Sequence, residues 1–179
     1  MSARSDDGGE VRLLTVGETA TQACGEALAP LLVAGDVLVL SGDLGAGKTQ
    51  LTKGVASGLG VEEPVTSPTF NILLVHEGRI PLYHFDLYRL ETAEQLEDLD
   101  YWGTLEADGV SVVEWGDRFS RALPEDGLLV RIHITADEER ALELEPLGPR
   151  GRVLAEAWVP VCRAVPGVDA ASGEDGGSR

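Results

Sequence analysis

Eight consecutive residues, Gly42-Asp43-Leu44-Gly45-Ala46-Gly47-Lys48-Thr49, constrain this chain more than any other stretch, because they satisfy the pattern G-x-x-x-x-G-K-[ST] without a mismatch. Ahead of them Val37-Leu38-Val39-Leu40 is an apolar, β-branched-rich run suited to a buried parallel strand. Behind them Leu51, Val55 and Leu59 recur four apart, one stripe of a helix, with Gly60 placed to cap its end. A Gly-rich turn between strand and helix aims successive N–H groups inward beside the positive end of the helix dipole, which predicts a cradle for a polyphosphate. There Lys48 reaches the β- and γ-phosphates and the Thr49 hydroxyl is a ligand for Mg²⁺. Lys48 and Lys53 are the only two lysines among the 14 basic residues, so a lysine at position 48 stands out against an arginine-rich background.

A chain of 179 residues suits one α/β domain with a core of ordinary size. Its ends are polar, and the expected organisation is a disordered tail over residues 1–10, a single domain over 11–163 and a disordered acidic tail over 164–179. No apolar run approaches the ~18 residues of a membrane span, and Met1 to Glu10 lacks a signal-peptide core. Cys24 and Cys162 are two and far apart, which gives neither a disulfide framework nor metal-ligand spacing. These features predict a cytoplasmic protein without a membrane. A formal net charge of −17 argues against the chain gripping nucleic acid by itself, since that binding is driven by basic side chains neutralising phosphates. Any RNA would be carried by a partner.

In chain order, Val11 to Leu14 reads as an edge strand and Thr15 to Leu32 as a helix with Thr19, Ala23, Ala27 and Leu31 on one stripe. Asn71 to His76 and Arg79 to Asp86 read as a hairpin around Glu77-Gly78, with Leu82, His84 and Asp86 on one face and Tyr83 and Phe85 on the other. Leu90 to Trp102 reads as one acidic helix, either a solvated face or a docking surface for a basic partner. Val110 to Val113 is a second candidate buried strand. Leu128 to Thr135, Ala141 to Glu145 and Val153 to Val161 are expected to extend the sheet, with loops at Asp137-Glu138-Glu139 and Gly148 to Gly151.

Nucleotide turnover needs an acidic group near the metal and something to orient the attacking water. Glu114 directly follows the strand Val110 to Val113, where a carboxylate at a strand's carboxyl end would face the phosphates, so Glu114 is the candidate metal ligand beside Thr49. Asp86 is the candidate for orienting water or sensing the γ-phosphate. Ser67-Pro68-Thr69-Phe70 offers hydroxyls that could meet Mg²⁺ or phosphate, so Ser67, Thr69 and the neighbouring His84 are candidates for a switch-like loop.

Four motifs in this order, Gly42 to Thr49, Ser67-Pro68-Thr69-Phe70, His84-Phe85-Asp86-Leu87-Tyr88-Arg89 and Val113-Glu114-Trp115, resemble the TsaE (YjeE) family of P-loop ATPases in bacterial tRNA threonylcarbamoyladenosine biosynthesis. The similarity extends from about Val11 to Ala141; from Pro146 onward nothing anchors it. The resemblance implies an α/β, P-loop NTPase-like three-layer fold with a mixed parallel and antiparallel sheet. It implies ATP and Mg²⁺ as cofactors, and an ATPase acting with TsaD and TsaB on the modification of adenosine at position 37 of ANN-decoding tRNAs. Under it Thr49 and Glu114 correspond to Mg²⁺ ligands and Asp86 to a residue needed for hydrolysis. Trp115 corresponds to an aromatic near the nucleotide, and Arg140 to a nucleotide contact.

Two other readings use the same P-loop. A small-molecule kinase would need an arginine-bearing lid, which Arg118 and Arg121 could supply. A non-catalytic sensor would change partner affinity on binding ATP alone. The chain lacks an Asn-Lys-x-Asp or Thr-Lys-x-Asp guanine-reading motif, and adenine is the expected base.

Overall fold

The computed structural model describes residues 11–68 and 70–170. The expected N-terminal tail, residues 171–179 of the expected C-terminal tail, and Thr69 lie outside the described residues.

Eight strands form one sheet: β1 (Val11–Val16), β2 (Val37–Ser41), β3 (Leu73–His76), β4 (Leu82–Asp86), β5 (Val110–Glu114), β6 (Leu128–Ile134), β7 (Glu139–Pro146) and β8 (Val168–Ala170). Their spatial order is β3-β4-β5-β2-β6-β7-β1-β8. The centre, β4-β5-β2-β6, is parallel, and β3, β7, β1 and β8 are added antiparallel at the two sides. The fold is therefore the mixed α/β sheet that the sequence leads one to expect. Central strands covered on both faces can afford continuous apolar sequence, and all five residues of β2 and of β5 are buried.

Among the described residues five α-helices complete the layers: α1 (Gly17–Leu28), α2 (Lys48–Gly58), α3 (Gln95–Asp98), α4 (Tyr101–Leu105) and α5 (Pro149–Arg163). One core joins α1, α2 and α5 to one sheet face through Leu28, Leu51, Val55, Trp158, Leu38 and Val112. A smaller core on the other face joins α3 and α4 through Leu96, Tyr101, Leu105, Val39 and Phe85. Helices α1 and α2 touch backbone to backbone: a Cβ on Gly54 would stand 1.8 Å from the Gln22 carbonyl oxygen. Only glycine fits there.

The expected stripe Leu51, Val55, Leu59 is buried as read, and the alternation of β4 places Leu82 in the first core and Phe85 in the second. Several expectations are corrected. Val153 to Val161 is not a strand but part of α5, whose start takes the loop expected at Gly148 to Gly151; its buried residues Leu154, Ala155, Trp158 and Cys162 follow the 3.6-residue period. Leu90 to Trp102 is not one helix but the short α3 and α4, broken at Asp100, whose φ is 47°. The buried stripe of α1 is Ala20, Thr21, Cys24, Gly25 and Leu28, one position out of phase with the expected one. The hairpin is joined by the five residues 77–81 rather than by a two-residue turn, and the loop expected at Asp137 to Glu139 ends at Glu138 because Glu139 opens β7. Strand β1 is not an edge, because β8, Val168–Ala170, pairs with it on its outer side. Cys24 and Cys162, expected to give no disulfide framework, form a disulfide, because α5 folds back along α1.

Candidate nucleotide site

The stretch from Gly42 to Gly47 leaves the carboxyl end of β2 and delivers the chain into the first turn of α2. Gly42, Gly45 and Gly47 have φ of 146°, 78° and 110°, conformations that side chains rarely adopt. A Cβ on Gly42 would also lie 2.4 Å from the Ile132 carbonyl oxygen of β6. The loop is thus fixed by its glycines and by the strand beside it. Asp43, Leu44 and Ala46 fill the remaining positions, Ala46 fully buried and Leu44 exposed.

Lys48 is buried, and its Nζ donates to the carbonyls of Gly42 at 2.6 Å and Asp43 at 2.9 Å. The same Nζ stands 3.9 Å from the centre of the Trp115 ring. Burial holds the ammonium below its ordinary pKa, while the surrounding carboxylates of Glu114, Asp86, Asp43 and Asp117 pull it back up. Among the described residues Lys48 Nζ has no directly bonded carboxylate, so its charge is spent on carbonyl dipoles and a π-face and is available to an anion.

Glu114 and Asp86 end the adjacent parallel strands β5 and β4 and are register partners. Thr49 donates its hydroxyl to Glu114, with Oε1 and Oε2 both at 3.1 Å. Asp86 accepts from the Ser67 hydroxyl at 2.6 Å and from the Tyr88 amide at 3.0 Å. One cleft of about 610 Å³ holds Lys48, Thr49, Ser67, Asp86, Glu114 and Trp115 together. A hydroxyl and a carboxylate are the hard oxygen donors that suit Mg²⁺, which takes few protein ligands and completes its shell with phosphate oxygens and water. The residues therefore fit both the phosphates and the ion. Trp115 adopts a left-handed backbone, φ 60°, which is costly outside glycine and turns the indole over Lys48.

Arg140 also lines this cleft, although it lies on β7. Its Nε donates to the Ala46 carbonyl at 3.0 Å, tying β7 to the phosphate loop. His84, a candidate beside the switch-like loop, lies on β4 on the strand face read for it, is fully buried, and meets Glu114 Oε1 through Nε2 at 2.8 Å. Arg118 donates to the Tyr88 carbonyl, and Arg121 pairs with Glu94 at 3.5 Å and Glu97 at 3.7 Å. Neither lines this cleft, although Arg118 lines an adjoining pocket with Gly42, Asp43, Tyr88 and Trp115.

Sequence reading missed one wall of the cleft. Gly17, Glu18 and Thr21 at the start of α1 line it together with Asp137 and Glu138 of the β6–β7 turn. The Gly17 amide donates to the Glu138 carbonyl at 2.7 Å, so the two segments are joined. No local pattern marks them, since residues about a hundred positions apart meet only because β1 pairs with β7.

A family model described as "Threonylcarbamoyl adenosine biosynthesis protein TsaE" matches residues 15–142. The tRNA threonylcarbamoyladenosine biosynthesis protein TsaE of Bacillus subtilis is 40% identical over 148 residues, 82% of this chain and 92% of that protein. The protein of the same name from Streptomyces coelicolor is 49% identical over 134 residues, 70% of this chain and 90% of that one. Among solved structures, Bacillus subtilis YdiB superposes with a TM-score of 0.71 at 35% identity, over 84% of this chain and 95% of that one.

Proposed function

Because the chain belongs to the TsaE family of threonylcarbamoyl adenosine biosynthesis proteins, we propose that it serves this modification of tRNA as a Mg²⁺-dependent ATPase working with TsaD and TsaB. The observation that carries the reading is the placement of two carboxylates, Asp86 and Glu114, on neighbouring strand ends, with Thr49 of the phosphate loop already bonded to one of them. A bare phosphate-binding loop would need neither.

Each residue then has a task. The loop amides and Lys48 hold the β- and γ-phosphates, and Arg140 keeps the loop in place. Thr49 and Glu114 hold Mg²⁺, which when bound neutralises charge on the phosphates. Asp86, a hydrogen-bond acceptor one strand away, orients the attacking water, and the Ser67 hydroxyl that it holds makes the loop around Ser67 responsive to what occupies the cleft. Trp115 walls off solvent above Lys48. The net charge of −17 supports tRNA reaching this protein only through its partners. Among the described residues no helix is long and apolar enough to cross a membrane. We place the protein in the cytoplasm, where tRNA is modified.

Phosphate release from ATP and Mg²⁺, measured for the protein alone and with TsaD, TsaB and tRNA added, tests the reading. Activity that rises with the partners and vanishes in Lys48→Ala supports it. Phosphate transfer to a small metabolite, or no hydrolysis under any of these conditions, overturns it.

A further inference from the structure

His84 is completely buried, yet its ring makes a single hydrogen bond. A carboxylate oxygen accepts, which puts the hydrogen shared with Glu114 Oε1 on His84 Nε2, and the other nitrogen, Nδ1, has no partner among the described residues. The nearest ring, that of His76, has its centre 6.2 Å away and is turned to Glu63, which its Nδ1 meets at 2.7 Å. His84 shares its strand face with Leu82, which is embedded in the larger core. An apolar side chain would fill that place without leaving a buried nitrogen unsatisfied. What the imidazole supplies in return is one directed bond to Glu114.

That bond divides the two carboxylate oxygens. Oε1 is met by His84 at 2.8 Å, by Thr52 at 3.4 Å and by Thr49 at 3.1 Å, whereas Oε2 is met by Thr49 alone. Thr52 is itself anchored to the Lys48 carbonyl at 3.0 Å, one turn along α2. We propose that His84 is a positioning residue for the metal site: it pins Oε1, so that Oε2 is presented beside Thr49 to the divalent ion that accompanies ATP. The inference rests on the reading that Thr49 and Glu114 hold Mg²⁺. Groups that orient a ligand from behind in this way typically govern about ten- to a hundredfold of metal affinity.

The test uses the full chain and three substitutions, with ATP binding followed by calorimetry in excess EDTA and across a Mg²⁺ titration. His84→Gln places an amide nitrogen at the same number of bonds from the backbone as Nε2. His84→Asn places it where Nδ1 was, and His84→Leu removes it. Expected are unchanged metal-free ATP binding in all three, a Mg²⁺ requirement raised about ten- to a hundredfold in the Asn and Leu variants, and a requirement within about threefold of wild type in the Gln variant. A wild-type Mg²⁺ requirement in His84→Asn overturns the proposal, as does equal impairment of the Gln and Asn variants. If the Leu variant does not fold, the Gln and Asn pair decides alone. Phosphate release by the wild type reports separately on the ATPase reading: a protein whose ATP binding depends on Mg²⁺ but which does not hydrolyse ATP fails that reading and leaves His84 to the titration.

Discussion

Lys48 carries its charge in a place where the chain has removed most of its water, bonded to the Gly42 and Asp43 carbonyls and lying against Trp115. Charge-assisted bonds to phosphate are worth about 1.5–3 kcal/mol each, so Lys48→Ala should weaken ATP binding by about a hundredfold or more, as titration calorimetry would read. The acids should separate from the lysine in their effects. On the proposed reading Asp86→Ala and Glu114→Ala remove the groups that would act on water and metal while leaving the phosphate cradle intact. Retained ATP binding with hydrolysis down about a hundredfold or more is expected. Wild-type turnover in either variant would sink that residue's role. At this scale the sequence was informative because the chemistry is local: eight contiguous residues make the cradle, and Glu114 could be placed by ending an apolar run. The partner of His84 was not legible because it is 30 residues away on another strand. The period of two gives its face but not what it meets there.

Elements whose ends are fastened by distant residues were the least legible. Helix α5 begins at Gly148-Pro149, and its first amides are capped from the loop before β6: Asp126 accepts from Gly151 and Arg150, both at 3.0 Å. The segment read as a strand because Val153 and Val161 are β-branched, but those two are the exposed ones, and the buried set has helical phase. In α3 and α4 the acidic run was visible and the break at Asp100 was not, since a left-handed residue other than glycine leaves little trace in composition. The amides of Gly151 and then Arg150 hold the Asp126 carboxyl below its ordinary pKa. A depressed folded value means the stabilisation is full above the unfolded carboxylate pKa of about 3.9 and is lost as the pH falls below it towards the folded value. Asp126→Ala should therefore cost about 1 kcal/mol near neutrality, the usual worth of such a cap. Urea midpoints of the two proteins should converge at acid pH. A gap that persists unchanged at pH 2–3, on the order of a full unit below the ordinary carboxylate value, would show that Asp126 acts by packing instead.

For the whole molecule, the parallel centre around the phosphate loop follows from a strand, a P-loop and a helix in sequence, but the antiparallel half does not. Strands β6, β7, β1 and β8 are joined by pairing between the two chain ends, and no local pattern announces that β1 lies between β7 and β8. The closure matters for the site, because α1, which starts at the nucleotide cleft with Gly17 and Glu18, is held at its far side by α5. There Cys24 is bonded to Cys162, and the Trp158 indole donates to the Cys24 carbonyl at 2.8 Å. The Arg150 guanidinium grips Asp36 at 2.8 and 2.7 Å near the start of β2, so α5 is tied both to α1 and to the strand that feeds the phosphate loop. A cross-link spanning 138 residues restricts the unfolded chain, and such bonds are commonly worth about 2–4 kcal/mol. Reduction should lower the melting temperature by about 5–15 °C for a chain of this size. Cys24→Ala/Cys162→Ala should melt near the reduced wild type and should not respond to reductant. ATP binding should survive both treatments below the melting transition, because the glycine-mediated contact of α1 with α2 and the ion pair to Asp36 remain. Two free thiols in the purified oxidised protein, with no shift on adding reductant, would show that the helices are held by packing alone.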